Sequence, residues 1–159
     1  MNRLTHILVA EDNEDDVFLL RQAFRKVPNA AMLHVVSDGA EAVDWLKGNG
    51  KYAERSLFPT PDLVLLDLNM PRLNGFEVLT EVRRDPRCGR TTVHMLTTST
   101  RIDDVERAYE LGANSYVIKP NRVDELVAFV AALHTWHQFA CISPPSESSF
   151  APEKSRHHR

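Results

Sequence analysis

The sequence is short of cysteine, of long apolar runs and of any excess of basic charge, and each shortage removes a class of protein. Only Cys88 and Cys141 occur in 159 residues. They lie far apart without CxxC or Cys/His ligand spacing, so neither a disulfide framework nor a thiolate metal site is expected, and both are read as free thiols. No stretch approaches the roughly 18 apolar residues of a membrane helix, and the first apolar run, ending at Ala10, stops at once in acids. A cytoplasmic protein with no membrane contact is expected. The 19 Lys and Arg against 22 Asp and Glu give a net charge of -3, which leaves no polycationic face for direct contact with nucleic acid.

What is present is enough apolar material, 43% of residues, for one ordinary core and one domain. Apolar or β-branched runs at 6–10, 33–36, 62–67, 93–97 and 115–118 have strand length. Between them, Val17, Leu20, Phe24 and Val27 recur at helical spacing before Pro28, and Val78, Leu79 and Val82 do so before Asp85 and Pro86. The stretch "SDGAEAVDWLKG" predicts a second helix, opened by a capping box of Asp38 with Glu41 and stopped at Gly48. A fourth helix is predicted over 103–111 and a fifth over 123–135, while Gly75 and Gly112 read as backbone requirements. Alternation of this kind implies parallel strands joined by right-handed crossovers: an α/β fold with a doubly wound five-stranded parallel sheet and helices on both faces.

Ligands of such sheets bind beyond the carboxyl ends of the strands. The residues there are Glu11, Asp12, Asp67, Thr97, Thr98 and Lys119. The stretch "ILVAEDNEDD" also crowds five carboxylates into residues 11–16. Two unit charges ~4 Å apart at an effective dielectric of ~20 repel by about 4 kcal/mol, so the cluster calls for counter-charge. Glu11, Asp12 and Asp67 carry about three negative charges at neutral pH, which Mg2+ together with Lys119 would balance, and Mg2+ favours carboxylate oxygens beside a phosphate. Glu14, Asp15 and Asp16 read as first-turn acids favoured by the helix dipole. His6, His34 and His94 fall in strands, and His134 and His137 near a helix end, without a matched ligand set, so no histidine metal site is expected.

The strings "ILVAEDNEDD", "DLVLLDLNMPRLNG", "MLTTS" and "GANSYVIKP", in this order and at strand ends, resemble the CheY-like receiver domain of bacterial response regulators across roughly residues 5 to 137. The resemblance implies a flavodoxin-like, CheY-like fold and a phosphorelay function, in which a sensor histidine kinase passes a phosphoryl group to Asp67. It further implies Mg2+ held by Asp12, Asp67 and the main-chain carbonyl of Asn69. Glu11 stands where the family often has Asp and acts through water or directly. Lys119 and Thr97 are implied as phosphoryl contacts, with Thr98 beside them. Thr97 and Tyr116 form the switch, Asn69 and Ser99 tune the phosphate lifetime, and a cis bond is implied at Lys119–Pro120. The "LTTS" string, the segment "GNGKYAERSLFPTP" and a tryptophan just beyond the last helix resemble regulators paired with phytochrome-type sensor kinases.

The resemblance describes a stand-alone receiver over 1–137 with no DNA-binding output domain, and not an enzyme that turns over a separate substrate. A haloacid-dehalogenase-type phosphatase would need a second acid at position 69, where Asn69 stands, and a flavin carrier would not offer "EDNEDD" to a phosphate. Residues 138–159 are expected to be an extension and a disordered tail, rich in proline, serine and charge. Within "HTWHQFACI", Trp136 and Phe139, with Ile142, are candidates for a homodimer contact.

Overall fold

In the computed structural model, residues 4–140 are described. Ten main elements alternate along the chain: β1 (His6–Ala10), α1 (Glu14–Lys26), β2 (Met32–Val36), α2 (Gly39–Lys47), β3 (Leu63–Leu66), α3 (Gly75–Arg84), β4 (Thr92–Thr97), α4 (Ile102–Glu110), β5 (Ser115–Ile118) and α5 (Val123–His137). The strands are all parallel, in the order β2-β1-β3-β4-β5, so the doubly wound sheet expected from the pattern is what forms. The central strands are buried on both faces, which is why they read as continuous apolar runs. Ile7, Val9, Leu63, Leu65 and Leu96 point to one core with Leu20 and Phe24 of α1 and Leu126 and Val130 of α5. Leu8, Val64, Leu66, Val93 and Met95 point to the other, beneath α2, α3 and α4.

Local chemistry sets the element ends. Asn13 caps α1 by accepting the Asp16 N–H at 3.0 Å. Asp38 caps α2 by accepting the Glu41 N–H at 2.8 Å, but only half of the expected capping box forms. The Glu41 carboxylate instead accepts from the Tyr52 hydroxyl at 3.2 Å. The complete box is at α3, between Asn74 and Glu77. Gly48 ends α2 in the left-handed region at φ 70°, and Gly112, at φ 98°, plays the same part after α4.

Three further features depart from expectation. A 3-10 helix, Gly50–Ala53, lies between α2 and β3, where Tyr52 packs against Trp45 and Phe58 at ring separations of 5.1 and 5.0 Å. Helix α5 runs on to His137, so Trp136 is inside its last turn rather than beyond the helix. The extension follows from Leu126, Val130, Leu133 and His137 sharing one buried stripe at steps of three and four. The Lys119–Pro120 bond is not cis, correcting what the resemblance implies; trans is the lower-energy isomer of an X–Pro bond by about 0.5–1 kcal/mol. Among the described residues Cys88 is a free, buried thiol, and no helix is long and apolar enough to cross a membrane. The expectations for Cys141, Ile142 and the rest of the tail fall on 141–159, outside the described residues.

Candidate functional site

Main-chain hydrogen bonds carry the sheet ladder one residue past the strands, and so aim the site residues. Glu11 N–H donates to Val36 O at 3.0 Å, Asp67 N–H to Ala10 O at 3.1 Å and Lys119 N–H to Thr97 O at 2.8 Å. Three side chains distant in sequence are thereby fixed at the carboxyl edge. One carboxylate oxygen from each of Glu11, Asp12 and Asp67 lies within 4.8 Å of the others. Glu11 and Asp67 are buried and Asp12 is exposed. Three hard oxygen donors, one open to water, suit a hydrated divalent cation.

Gly75 makes this edge possible. A Cβ there would stand 2.4 Å from the Asp67 carbonyl oxygen and 2.9 Å from Leu68 Cα. Its absence lets α3 start directly beneath the β3 terminus, with Gly75 N–H donating to Leu68 O at 2.8 Å. Asp67 Oδ1 accepts the Leu68 N–H at 2.8 Å.

Lys119 is the positive centre. Its Nζ donates to Glu11 Oε2 and to Asp16 Oδ2, the latter at 2.9 Å, and lies 3.6 Å from Asp67 Oδ2. Burial pushes the ammonium down, but the bonds to Glu11 and Asp16 outweigh it and hold Lys119 above the usual lysine range. Burial pushes the Glu11 carboxyl up, opposed by hydrogen bonds from Lys119 and the Asn13 N–H. These two directions pull against each other across one contact. The upward shift of Lys119 governs, because three carboxylates surround one ammonium. Asp16, which in sequence is mainly a first-turn acid favoured by the helix dipole, is part of the site as well. Behind the cluster lies a cavity of about 150 Å³, lined by Val9, Leu20, Leu65 and Leu96.

The loop after β4 joins the site to the far side of the fold. Thr97 is fully buried, and its hydroxyl accepts the Ser99 N–H at 3.3 Å. The Ser99 hydroxyl donates to Asp104 of α4, and the Ser99 carbonyl accepts from the Tyr116 hydroxyl at 2.9 Å. Burial raises the Tyr116 phenol above its ordinary range, so it is a donor at neutral pH. Thr98 and Asn69 are exposed at the rim. Trp136 and Phe139, 60% and 84% exposed, sit at and just after the end of α5 and take no part in the acidic cluster.

A fold with an acidic trio, a lysine and a buried threonine at its carboxyl edge defines a receiver module, and a family model described as the response regulator receiver domain matches residues 7–131. The chain belongs to this family. Among curated relatives, response regulator Rcp1 of Synechocystis is 36% identical over 130 residues, covering 82% of this chain and 86% of that protein. The Mn(2+)-bound form of Rcp1 matches with a TM-score of 0.75 at 33% identity, covering 89% of this chain and 99% of that one. The phosphorylated cyanobacterial phytochrome response regulator RcpA gives a TM-score of 0.79 at 33% identity, over 89% and 99% of the two chains. Response regulator RPA3017, in red light signaling of R. palustris, gives 0.82 at 36% identity, over 90% and 100%. RcpA is thus a phytochrome response regulator and RPA3017 a regulator in red light signaling, and this chain covers nearly the whole of each.

Proposed function

We propose that Asp67 accepts a phosphoryl group from the phosphohistidine of a sensor kinase, and that the change is read by partners at the face of α4, β5 and α5. The observation that carries this reading is the convergence of Glu11 and Asp12 after β1, Asp67 after β3 and Lys119 after β5. An Asp67 carboxylate oxygen forms the new P–O bond as the P–N bond of the donor breaks, and the electron pair returns to the imidazole nitrogen. Such transfers ask mainly for alignment and charge stabilisation.

The donor set fits Mg2+, which when bound supplies positive charge beside the phosphoryl oxygens. Asp12 and Asp67 would hold it directly with the Asn69 carbonyl. Both Glu11 oxygens already accept hydrogen bonds, from Asn13 N–H and Lys119, which favours contact through water for Glu11. The Mn(2+)-bound form of Rcp1 supports a divalent cation in this family. Lys119 exchanges Asp16 for a phosphoryl oxygen, while Thr97 and Thr98 contact others. The acyl phosphate brings close to two negative charges and strong acceptor oxygens. Thr97 moving toward it shifts Ser99, and through the Ser99 carbonyl shifts Tyr116. The chain promotes its own phosphorylation and hydrolysis and turns over no separate substrate. Asn69 acts on phosphate lifetime from the rim, and Ser99 acts through loop position, since its hydroxyl is held by Asp104.

The likeness to the phytochrome response regulator RcpA and to RPA3017 in red light signaling supports a bacteriophytochrome as the kinase, and a cytoplasmic location beside that phosphodonor is part of the same reading. Trp136 and Phe139 support a homodimer, since aromatics are enriched in interface cores. Incubation with an autophosphorylated phytochrome kinase and Mg2+ tests the main reading. The expected product is a phosphoprotein labile to hydroxylamine, formed faster than from unrelated kinases. No transfer from any histidine kinase of the source organism would refute it.

A further inference from the structure

At the amino end of the sheet, remote from the acidic cluster, two histidines are buried side by side. His94 of β4 is 9% exposed and His137 of α5 is fully buried. Their ring centroids are 6.0 Å apart with planes at 76°. His137 Nδ1 bonds the Leu133 carbonyl at 2.7 Å, and a carbonyl only accepts, so Nδ1 carries the proton and Nε2 presents a lone pair. His94 Nδ1 bonds the Ser115 hydroxyl, and in the tautomer that donates to it, Nε2 is a lone pair as well. Neither Nε2 has a hydrogen-bond partner among the described residues. A buried nitrogen left without a partner is destabilising. Two on neighbouring rings call for a shared ligand.

The outer contacts are those of metal-binding imidazoles, which characteristically donate their second ring N–H to a carbonyl or other oxygen. His134, three residues before His137, is excluded from the pair, because its Nε2 accepts the Ala31 N–H at 2.7 Å and its Nδ1 bonds the Val130 carbonyl. We propose that His94 and His137 form a second cation site, taking a borderline divalent metal of the Zn2+ or Ni2+ type. A metal–nitrogen bond of about 2.1 Å brings each ring centroid to roughly 3.2 Å from the ion, so rings 6.0 Å apart can share one. A groove lined by His94, Asn114, Leu133 and Trp136 opens beside the His94 ring only, and because both Nε2 atoms are shut off from solvent, the rings must part to admit the ion and the waters that complete its coordination. Imidazole nitrogen selects such metals over Mg2+, so the two sites would not compete. Burial also holds His94 neutral, down to about 4, and lowers His137, keeping both in the ligand form at neutral pH.

The test uses the full chain with Cys141→Ser, His157→Asn and His158→Asn, which removes tail ligands, in saturating MgCl2. Calorimetric titration with ZnCl2 is expected to give one site per chain, weakened by about tenfold or more in His94→Gln. Ni2+ is expected to quench Trp136, whose ring lies 4.8 Å from that of His137, and Trp136→Phe to remove that quenching. The imidazole 15N resonances of His94 and His137, read without substituting either ring, are expected to shift at Nε2 on adding Zn2+. Absence of saturable Zn2+ binding below millimolar, unchanged affinity in a folded His94→Gln, or unmoved Nε2 resonances would each overturn the proposal.

Discussion

Asp16 of α1 holds the Lys119 ammonium at 2.9 Å, while Asp67 Oδ2 stands 3.6 Å from the same nitrogen. The lysine assigned to the phosphoryl group is therefore shared with a helix carboxylate before any phosphoryl arrives. To serve the incoming group it must give up part of this contact.

Asp16→Asn is accordingly expected to cost about 0.5–1 kcal/mol of stability, a small value because the carboxylate is 39% exposed. The same change should speed phosphorylation by a small-molecule phosphodonor about two- to fivefold, since one charge-assisted bond fewer has to be exchanged. Intact-mass time courses measure the rate; a slower rate would show that Asp16 aligns Lys119 productively rather than restraining it.

Asp12→Ala is expected to weaken Mg2+ binding by about tenfold or more and to stabilise the metal-free protein, by relieving repulsion among Glu11, Asp12 and Asp67. Paired Mg2+ titrations and urea melts in chelator check both signs. A metal-free variant less stable than the parent would contradict the repulsion.

Acid sensitivity has a separate source in His94. Burial lowers its pKa from the ordinary 6.5 to about 4, so between these values the unfolded chain binds more protons than the folded one. Stability from this group is complete above about pH 6.5 and is lost as pH falls toward 4, at roughly 1.4 kcal/mol per unit, or about 3 kcal/mol in all. His34 and His137, also lowered chiefly by burial, act in the same direction. In chelator, urea midpoints of His94→Gln should fall less steeply over this window than those of the parent; parallel slopes would remove His94 from the account.

Much of this architecture was legible in the residues. Strands at 6–10 and 115–118 have the predicted bounds, because a short apolar run closed by charge leaves few alternatives. Asp16 was not legible as a site residue: first-turn acids look alike in sequence, and only the packing of α1 beside the β5 terminus separates it from Glu14 and Asp15. The last turn of α5 had a readable sign, since His137 continues the stripe of Leu126, Val130 and Leu133 once histidine is counted as buried. The half-formed box at Asp38 turned on Tyr52, which reaches Glu41 from a 3-10 helix that no periodicity marks.

The exposed rings of Trp136 and Phe139 lead to an assembly prediction. Trp136→Ser with Phe139→Ser should weaken self-association at least about tenfold, in keeping with aromatic hot spots, and leave the melting transition nearly unchanged. Sedimentation equilibrium with and without a phosphoryl mimic and Mg2+ decides it, and a parent chain monomeric well above micromolar in both states would refute the dimer.

The most direct test of the central claim is to locate the phosphoryl group. Borohydride reduction of the freshly phosphorylated protein converts an aspartyl phosphate to homoserine, which peptide mass spectrometry places to a single residue. The account predicts homoserine at position 67 alone, and no label in a folded Asp67→Asn. Homoserine at position 12 or elsewhere, or label persisting in Asp67→Asn, would contradict it.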